Sequence, residues 1–357
     1  MLFFELLQVA LGNREGLSKV PSAAEWAEIY AESERQAVTG ALIHGIERLP
    51  AEQRPSKVLL LQWIGVGQII EKRNHLLDGR CKELVSILTS AGLHPTILKG
   101  QGIAQCYPET LQNLRQPGDI DVFVSDGREK AISLANGAGL KVNGWDYKHA
   151  HLEIWKDTEI EMHYRVEVLL NLWKNRKLQM WFSEQNAQVR GSQFMVDGCP
   201  VTTPTVEFNV FYILLHIYRH FLYEGVGLRQ IVDYYMVLRT VHGEGAMVHD
   251  YVEAVREFGM EKFAKGLMWV MHKALEMPRE WMLWEPDEKE GRSILKQVMT
   301  GGNFGHHDKR LKHSGGKLGA VKAILTHNVH LLTHYPSDVI WAPVWIVWHK
   351  LWKLTRV

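Results

Sequence analysis

Apolar residues recur at helical spacing through Ala24–Leu49 and again from Val58 to Leu88, where Leu59, Trp63, Val66, Ile70 and Leu77 form one stripe. Ser22 stands three residues before Glu25, the spacing of a capping box, and Gly92 suits a helix stop. Residues 1–92 are therefore expected to be a helical region. The pattern then changes period. His94–Lys99 is a short β-prone run closed by Gly100, and Asp119–Val124 alternates polar and apolar after the turn-forming Pro117-Gly118. His151–Trp155, Glu159–Tyr164 and Gln193–Val196 are further strand candidates, with short helices expected over Gln101–Tyr107 and Arg128–Asn136. From Pro204 onward helical spacing returns, in Val206–Leu222, Arg229–Val241, Tyr251–Met277 and Gly319–Leu332. These changes divide the chain into an N-terminal helical region (1–92), a strand-rich centre (93–203) and a C-terminal helical domain (204–357). The fold class is α+β, with a small mixed β-sheet between helical arms.

Composition narrows this picture. Of the 357 residues 46% are hydrophobic and 23% charged, enough to fill real cores and to exclude a disordered or low-complexity chain. Forty-one basic residues against 40 acidic ones leave a net of +1, which argues against duplex DNA as a partner. The three cysteines are widely spaced and suggest neither a disulfide framework nor a zinc knuckle. No run approaches the roughly 18 apolar residues of a transmembrane helix, and the N-terminus has no secretory pattern, so a cytoplasmic protein is expected.

The chemistry centres on G-D-I-D-V-F-V. Asp119 and Asp121 are two residues apart, so on a strand both leave the same face. Neighbouring anions repel, and that repulsion demands a raised pKa or a cation. Mg²⁺, a hard ion, takes oxygen ligands and combines carboxylates with substrate phosphates. A second strand, T-E-I-E-M-H-Y, puts Glu159, Glu161 and His163 on one face and Ile160, Met162 and Tyr164 on the other. Were the two strands neighbours, their acids would converge on a patch suited to two ions. A solvated sheet face is the plainer reading of D-x-D alone. Upstream, Leu98-Lys99-Gly100-Gln101-Gly102 closes a strand and opens a helix, where glycine lets backbone N–H groups approach a triphosphate.

Strand, glycine turn, helix, D-x-D strand and acidic third strand together resemble the palm of the polymerase-β-like nucleotidyltransferases. More closely, I-L-K-G-Q-G-I-A-Q-C-Y-P, L-R-Q-P-G-D-I-D-V-F-V and I-E-M-H-Y are similar to a bacterial family of uncharacterised nucleotidyltransferases, a resemblance extending into H-I-Y-R-H-F and G-L-R-Q-I-V-D. The resemblance implies that Asp119, Asp121 and Glu161 are catalytic metal ligands for two Mg²⁺ ions, with Mn²⁺ as a substitute, and that Gly100 is the phosphate-turn glycine. It also implies transfer of a nucleoside monophosphate from a nucleoside triphosphate, ATP being the commonest, to an acceptor hydroxyl, with release of pyrophosphate. Glu161 would help to deprotonate that hydroxyl. A small molecule, a protein side chain and an RNA end all qualify as acceptors. The turn here is Gly-Gln where the superfamily has Gly-Ser or Gly-Gly, and 18 residues separate Gly100 from Asp119, a longer spacer than usual.

Around this centre lie secondary candidates. Lys99, Gln101 and Arg115 would join Gly100 in the nucleotide grip; the plainer readings are a solvent-facing Lys99 and an Arg115 paired to the acids. His163, His216, His220, Arg229 and Asp233 are candidates for a substrate cleft. His216 and His220 otherwise read as a partly buried pair, and Arg229 and Asp233 as an intrahelical ion pair. His306-His307-Asp308 has the H-D pair of metal phosphohydrolases, though a glycine-rich loop explains it better. Trp341, Trp345, Trp348 and Trp352 make one helical stripe, which could lie on a membrane or dock on the helical arm; Pro343 suits only the first turn of such a helix. Residues 306–357 hold eight Lys or Arg, seven His and two acids, so the balanced total conceals a basic end. Two alternatives to the enzyme therefore stand: a decayed nucleotide-binding module, and a membrane-peripheral protein using its tryptophan helix.

Overall fold

A computed structural model describes residues 1–303 and 331–355. The motif His306-His307-Asp308, most of the helix expected over Gly319–Leu332 and most of the basic segment lie outside the described residues. The chain forms two compact units.

The first unit comprises residues 1–76, 104–117 and 213–303, and is helical. Helix Leu2–Leu11 packs on Thr39–Arg48 and on Glu261–Leu275, burying Leu6, Leu7, Leu42 and Ile46. Helix Ala23–Arg35 starts at the expected capping box: the Ser22 side chain accepts from the Glu25 N–H and the Glu25 carboxylate accepts from the Ser22 N–H. The periodic stretch Ala24–Leu49 breaks after Arg35, with Ala37 at φ 55° and the Val38 N–H bonded back to the Ser33 carbonyl. Tertiary contacts fix the break. The buried Gln36 side chain donates to the Val298 carbonyl and accepts from the Leu228 N–H. Tyr251–Met277 likewise divides at Gly259 into His249–Glu257 and Glu261–Leu275.

The second unit comprises residues 77–103, 118–212 and the C-terminal helix. Its five-stranded mixed sheet has β1 (Pro95–Ile97), β2 (Ile120–Val124), β3 (Lys141–Trp145), β4 (His149–Trp155) and β5 (Thr158–His163) in the order β1-β2-β5-β4-β3. β2 and β5 are parallel and the other neighbours antiparallel. Alternation then sorts the side chains. Ile120, Val122, Val124, Ala150, Leu152, Ile160 and Met162 enter one core with Cys81, Leu84 and Leu88, and with Ala131 and Ala135 of helix Arg128–Gly137. Each buried aliphatic side chain there contributes about 1.5–3 kcal/mol. The opposite face carries the acids. β6 (Ser192–Val196) and β7 (Cys199–Thr203) form a separate hairpin.

The tryptophan helix spans Pro336–Leu354, and its stripe corrects two expectations. Pro336 takes the first turn, so Pro343 falls inside the helix. The stripe docks on the sheet-bearing unit rather than on a helical arm: Trp345, Trp348 and Trp352 meet Tyr147 edge-on at ring distances of 5.3, 5.0 and 5.2 Å. The Arg128 guanidinium lies over the rings of both Trp145 and Trp352. The outer face of this helix presents Ile340, Val344, Val347, Leu351 and Leu354. Among the described residues no helix is long and apolar enough to cross a membrane.

Candidate active site

Two local sequence features and one long-range pairing build the site. Asp119 and Asp121 leave one face of β2, and Glu159, Glu161 and His163 leave one face of β5, because strand side chains alternate. The parallel pairing sets Asp121 opposite Glu161 and Phe123 opposite His163. Carboxylate oxygens of Asp119, Asp121 and Glu161 lie within 4.8 Å of one another. Asp119 is exposed at the strand mouth, Asp121 buried and Glu161 half-buried.

Lys99 follows β1 and turns inward. Its Nζ is 2.8 Å from Asp121 Oδ1, so the solvent-facing reading fails. His163 Nε2 lies 2.9 Å from the same oxygen and 3.1 Å from Glu161 Oε2, bridging the two acids. Burial by itself would raise the Asp121 carboxyl, but Lys99 and His163 outweigh it and hold the group well below the usual range. Burial likewise opposes ionisation of Glu161, and the hydrogen bond from His163 brings it down to about 2. Lys99 shows the converse: burial disfavours its charge, yet Asp121, Asp119 and Glu161 raise it. Two carboxylates thus sit side by side, stabilised by the Lys99 ammonium and by the His163 imidazole.

Gly100 adopts φ 49°, a left-handed conformation that glycine takes without steric cost, and the space for a Cβ there lies 3.6 Å from the Asp119 carbonyl. The turn is held by the Leu98 N–H to the Asp121 carbonyl and the Gly102 N–H to the Lys99 carbonyl. At Gly102 a Cβ would stand 2.4 Å from Thr203 Oγ1, so glycine permits β7 to pack against the turn. The helix after it is one turn, Gln101–Ala104, shorter than expected. Gln101 is buried and donates to Asp78 Oδ1 at 2.6 Å.

The other candidates belong to the helical unit. Arg115 forms a buried bidentate pair with Asp233, Nε to Oδ1 at 2.7 Å and Nη2 to Oδ2 at 2.8 Å, and the Tyr107 hydroxyl donates to Oδ1 at 2.7 Å. Asp233 thus pairs with Arg115, a residue 118 positions away, which helical spacing could not foresee. Arg229 donates weakly to the Gln116 carbonyl. His216 and His220 are buried with rings 4.3 Å apart, and His220 Nδ1 is 2.7 Å from Glu224 Oε2.

Sequence reasoning passed over the histidines of β4. His149 lies opposite His163 and His151 opposite Glu161, so the acidic face continues as an imidazole face. The signal was the alternating K-H-A-H-L-E run, which places His149 and His151 on one side. A buried ion pair, Lys148 Nζ to Glu167 Oε1 at 3.3 Å, was also passed over.

A mixed sheet bearing an inward lysine, a glycine turn and three converging carboxylates has a donor set that suits a hard divalent cation. The sequence places it further. The chain belongs to a family of uncharacterised nucleotidyltransferases, whose pattern matches residues 22–276. No protein of curated function and no solved structure matches it. Family membership makes nucleotidyl transfer the general activity and a nucleotide the substrate.

Proposed function

We propose that this protein transfers a nucleoside monophosphate from a nucleoside triphosphate to an acceptor hydroxyl and releases pyrophosphate, using divalent cations held by Asp119, Asp121 and Glu161. The observation that carries this reading is the convergence of those three carboxylates within 4.8 Å on one sheet face. Their donor set is all oxygen, which suits Mg²⁺, and two of the acids attract a lysine and a histidine. When bound, the cations would supply charge neutralisation for the phosphates and lower the pKa of the attacking hydroxyl.

The chain's own residues prepare that chemistry. Lys99 holds a buried ammonium beside the acids, where phosphate oxygens can exchange for its present partner. Gly100 opens backbone N–H groups toward the triphosphate. His163 fixes the Asp121 and Glu161 carboxylates relative to one another. We assign Glu161 to cation binding beside Asp119 and Asp121, from where it could also help to deprotonate the acceptor hydroxyl. Arg115 and Asp233 satisfy each other, and we place them in the scaffold of the helical unit.

The test is incubation of the full chain with each α-labelled nucleoside triphosphate, Mg²⁺ and a cell extract. Label should pass to an acceptor with stoichiometric pyrophosphate, and Asp121→Ala should lower the rate by more than about 100-fold. Nucleotide binding without pyrophosphate release would instead establish a decayed binding module.

A further inference from the structure

The catalytic sheet face carries donors that hard-cation chemistry does not use. His149 and His163 are antiparallel neighbours, with ring centroids 5.2 Å apart. Both approach the same carboxylate oxygen, Glu161 Oε2: His149 Nδ1 at 3.6 Å and His163 Nε2 at 3.1 Å. Donor atoms of the three residues lie within 4.8 Å of one another. A tetrahedral zinc ion with ligands at about 2.1 Å has ligand–ligand edges of about 3.4 Å. The two observed separations bracket that edge, and the donor atoms as a set stay within 4.8 Å, so a small ion fits between them after a modest closing of the imidazoles.

Two further features support a site. Among the described residues His149 Nδ1 is buried and makes no hydrogen bond, a costly state for a ring nitrogen that a metal bond would relieve. The imidazole is also held in place. Its backbone N–H donates to Asp146 Oδ1 at 2.8 Å, and its ring packs edge-on against His151 at 4.9 Å. Imidazole nitrogen favours borderline ions over Mg²⁺, which prefers oxygen throughout.

We propose that His149, Glu161 and His163 form a binding site for a borderline divalent cation, Zn²⁺, chemically distinct from the all-oxygen cluster and sharing Glu161 with it. Because Glu161 serves both sets, zinc and the oxygen-bound cation compete for it. The zinc site does not depend on nucleotidyl transfer being the activity.

The full chain is titrated with Zn²⁺ by calorimetry without nucleotide, and Co²⁺ is used in parallel for its visible absorption. One ion per chain is expected, with the intense Co²⁺ bands of tetrahedral nitrogen and oxygen coordination. His149→Ala and His163→Ala should each weaken binding at least tenfold. His75→Ala, at an exposed position of helix Lys57–Ser90, should leave Zn²⁺ affinity within twofold. Thermal unfolding of each variant separates a lost ligand from a lost fold, and His149→Ala, in a partly exposed position, serves should His163→Ala unfold. Zinc affinity unchanged in His149→Ala, or weak octahedral Co²⁺ bands, would overturn the proposal. If zinc fails to bind while Mg²⁺-dependent label transfer persists, only this inference falls. If zinc binds and no nucleotide is turned over, only the transferase reading falls.

Discussion

The buried pair between Arg115 and Asp233 offers a clean test of what holds the helical unit together. Both side chains are less than one-tenth exposed, and both Asp233 oxygens accept from the guanidinium. Asp233→Asn keeps shape and an acceptor for Tyr107 but removes the carboxylate charge that faces the buried Arg115 guanidinium. With charge centres about 4 Å apart and an effective dielectric of about 20, the lost attraction is on the order of 4 kcal/mol. Breaking one partner of a buried pair typically costs about 3–5 kcal/mol. For a unit of this size that lowers the melting temperature by about 10 °C. Replacing both partners removes the guanidinium charge too, so Arg115→Met with Asp233→Asn should recover at least half of the loss. The assay is urea and thermal unfolding followed by circular dichroism on wild type, both single variants and the double variant. Loss of less than about 1 kcal/mol in Asp233→Asn, or no recovery in the double variant, would refute the argument. A double variant of wild-type stability that lost tenfold in nucleotide affinity would return Arg115 to the nucleotide grip.

Gly100→Ala should cost about 1–2 kcal/mol, because the residue sits at φ 49°, and should weaken nucleotide affinity by shifting the turn; equilibrium unfolding and a fluorescent-nucleotide titration measure the two effects. Ser22→Ala removes the capping box and should cost about 1 kcal/mol. Bonds from Lys19 and from the Ser22 N–H and hydroxyl bring the Glu25 carboxyl from 4.5 down to about 2. Its folded pKa is thus the lower one, so its stabilisation is complete above about 4.5 and is lost as pH falls toward 2. The difference in urea midpoint between wild type and Glu25→Gln should shrink over that interval; a constant difference would show that the ionised carboxylate contributes nothing.

Some of the architecture was legible because it is local. Apolar spacing marked the long helix Lys57–Ser90 through Trp63, Ile70 and Leu77, all buried. Alternation placed β2, β4 and β5 within a residue or two of their ends. β3 escaped notice because it is an exposed edge strand with Gly144 inside it and no apolar alternation. Helix Leu172–Glu184 escaped too, since its amphipathic pattern is weak and only Asn175, Leu178 and Phe182 are buried. The break at Ala37 could not be read either, because Gln36 is held by residues far along the chain.

By itself, then, the sequence determined which side chains share a face. Asp119 with Asp121, Glu159 with Glu161 and His163, and His149 with His151 are consequences of a two-residue repeat that holds wherever the strand goes. Only the tertiary structure decided which faces meet. The parallel pairing of β2 with β5 sets Asp121 against Glu161, and the antiparallel pairing of β4 with β5 brings His149 to His163. The same long-range choice brought Arg115 to Asp233. Side-chain periodicity is a property of the local backbone, whereas strand order and ion pairing depend on which distant segments bury their apolar faces together.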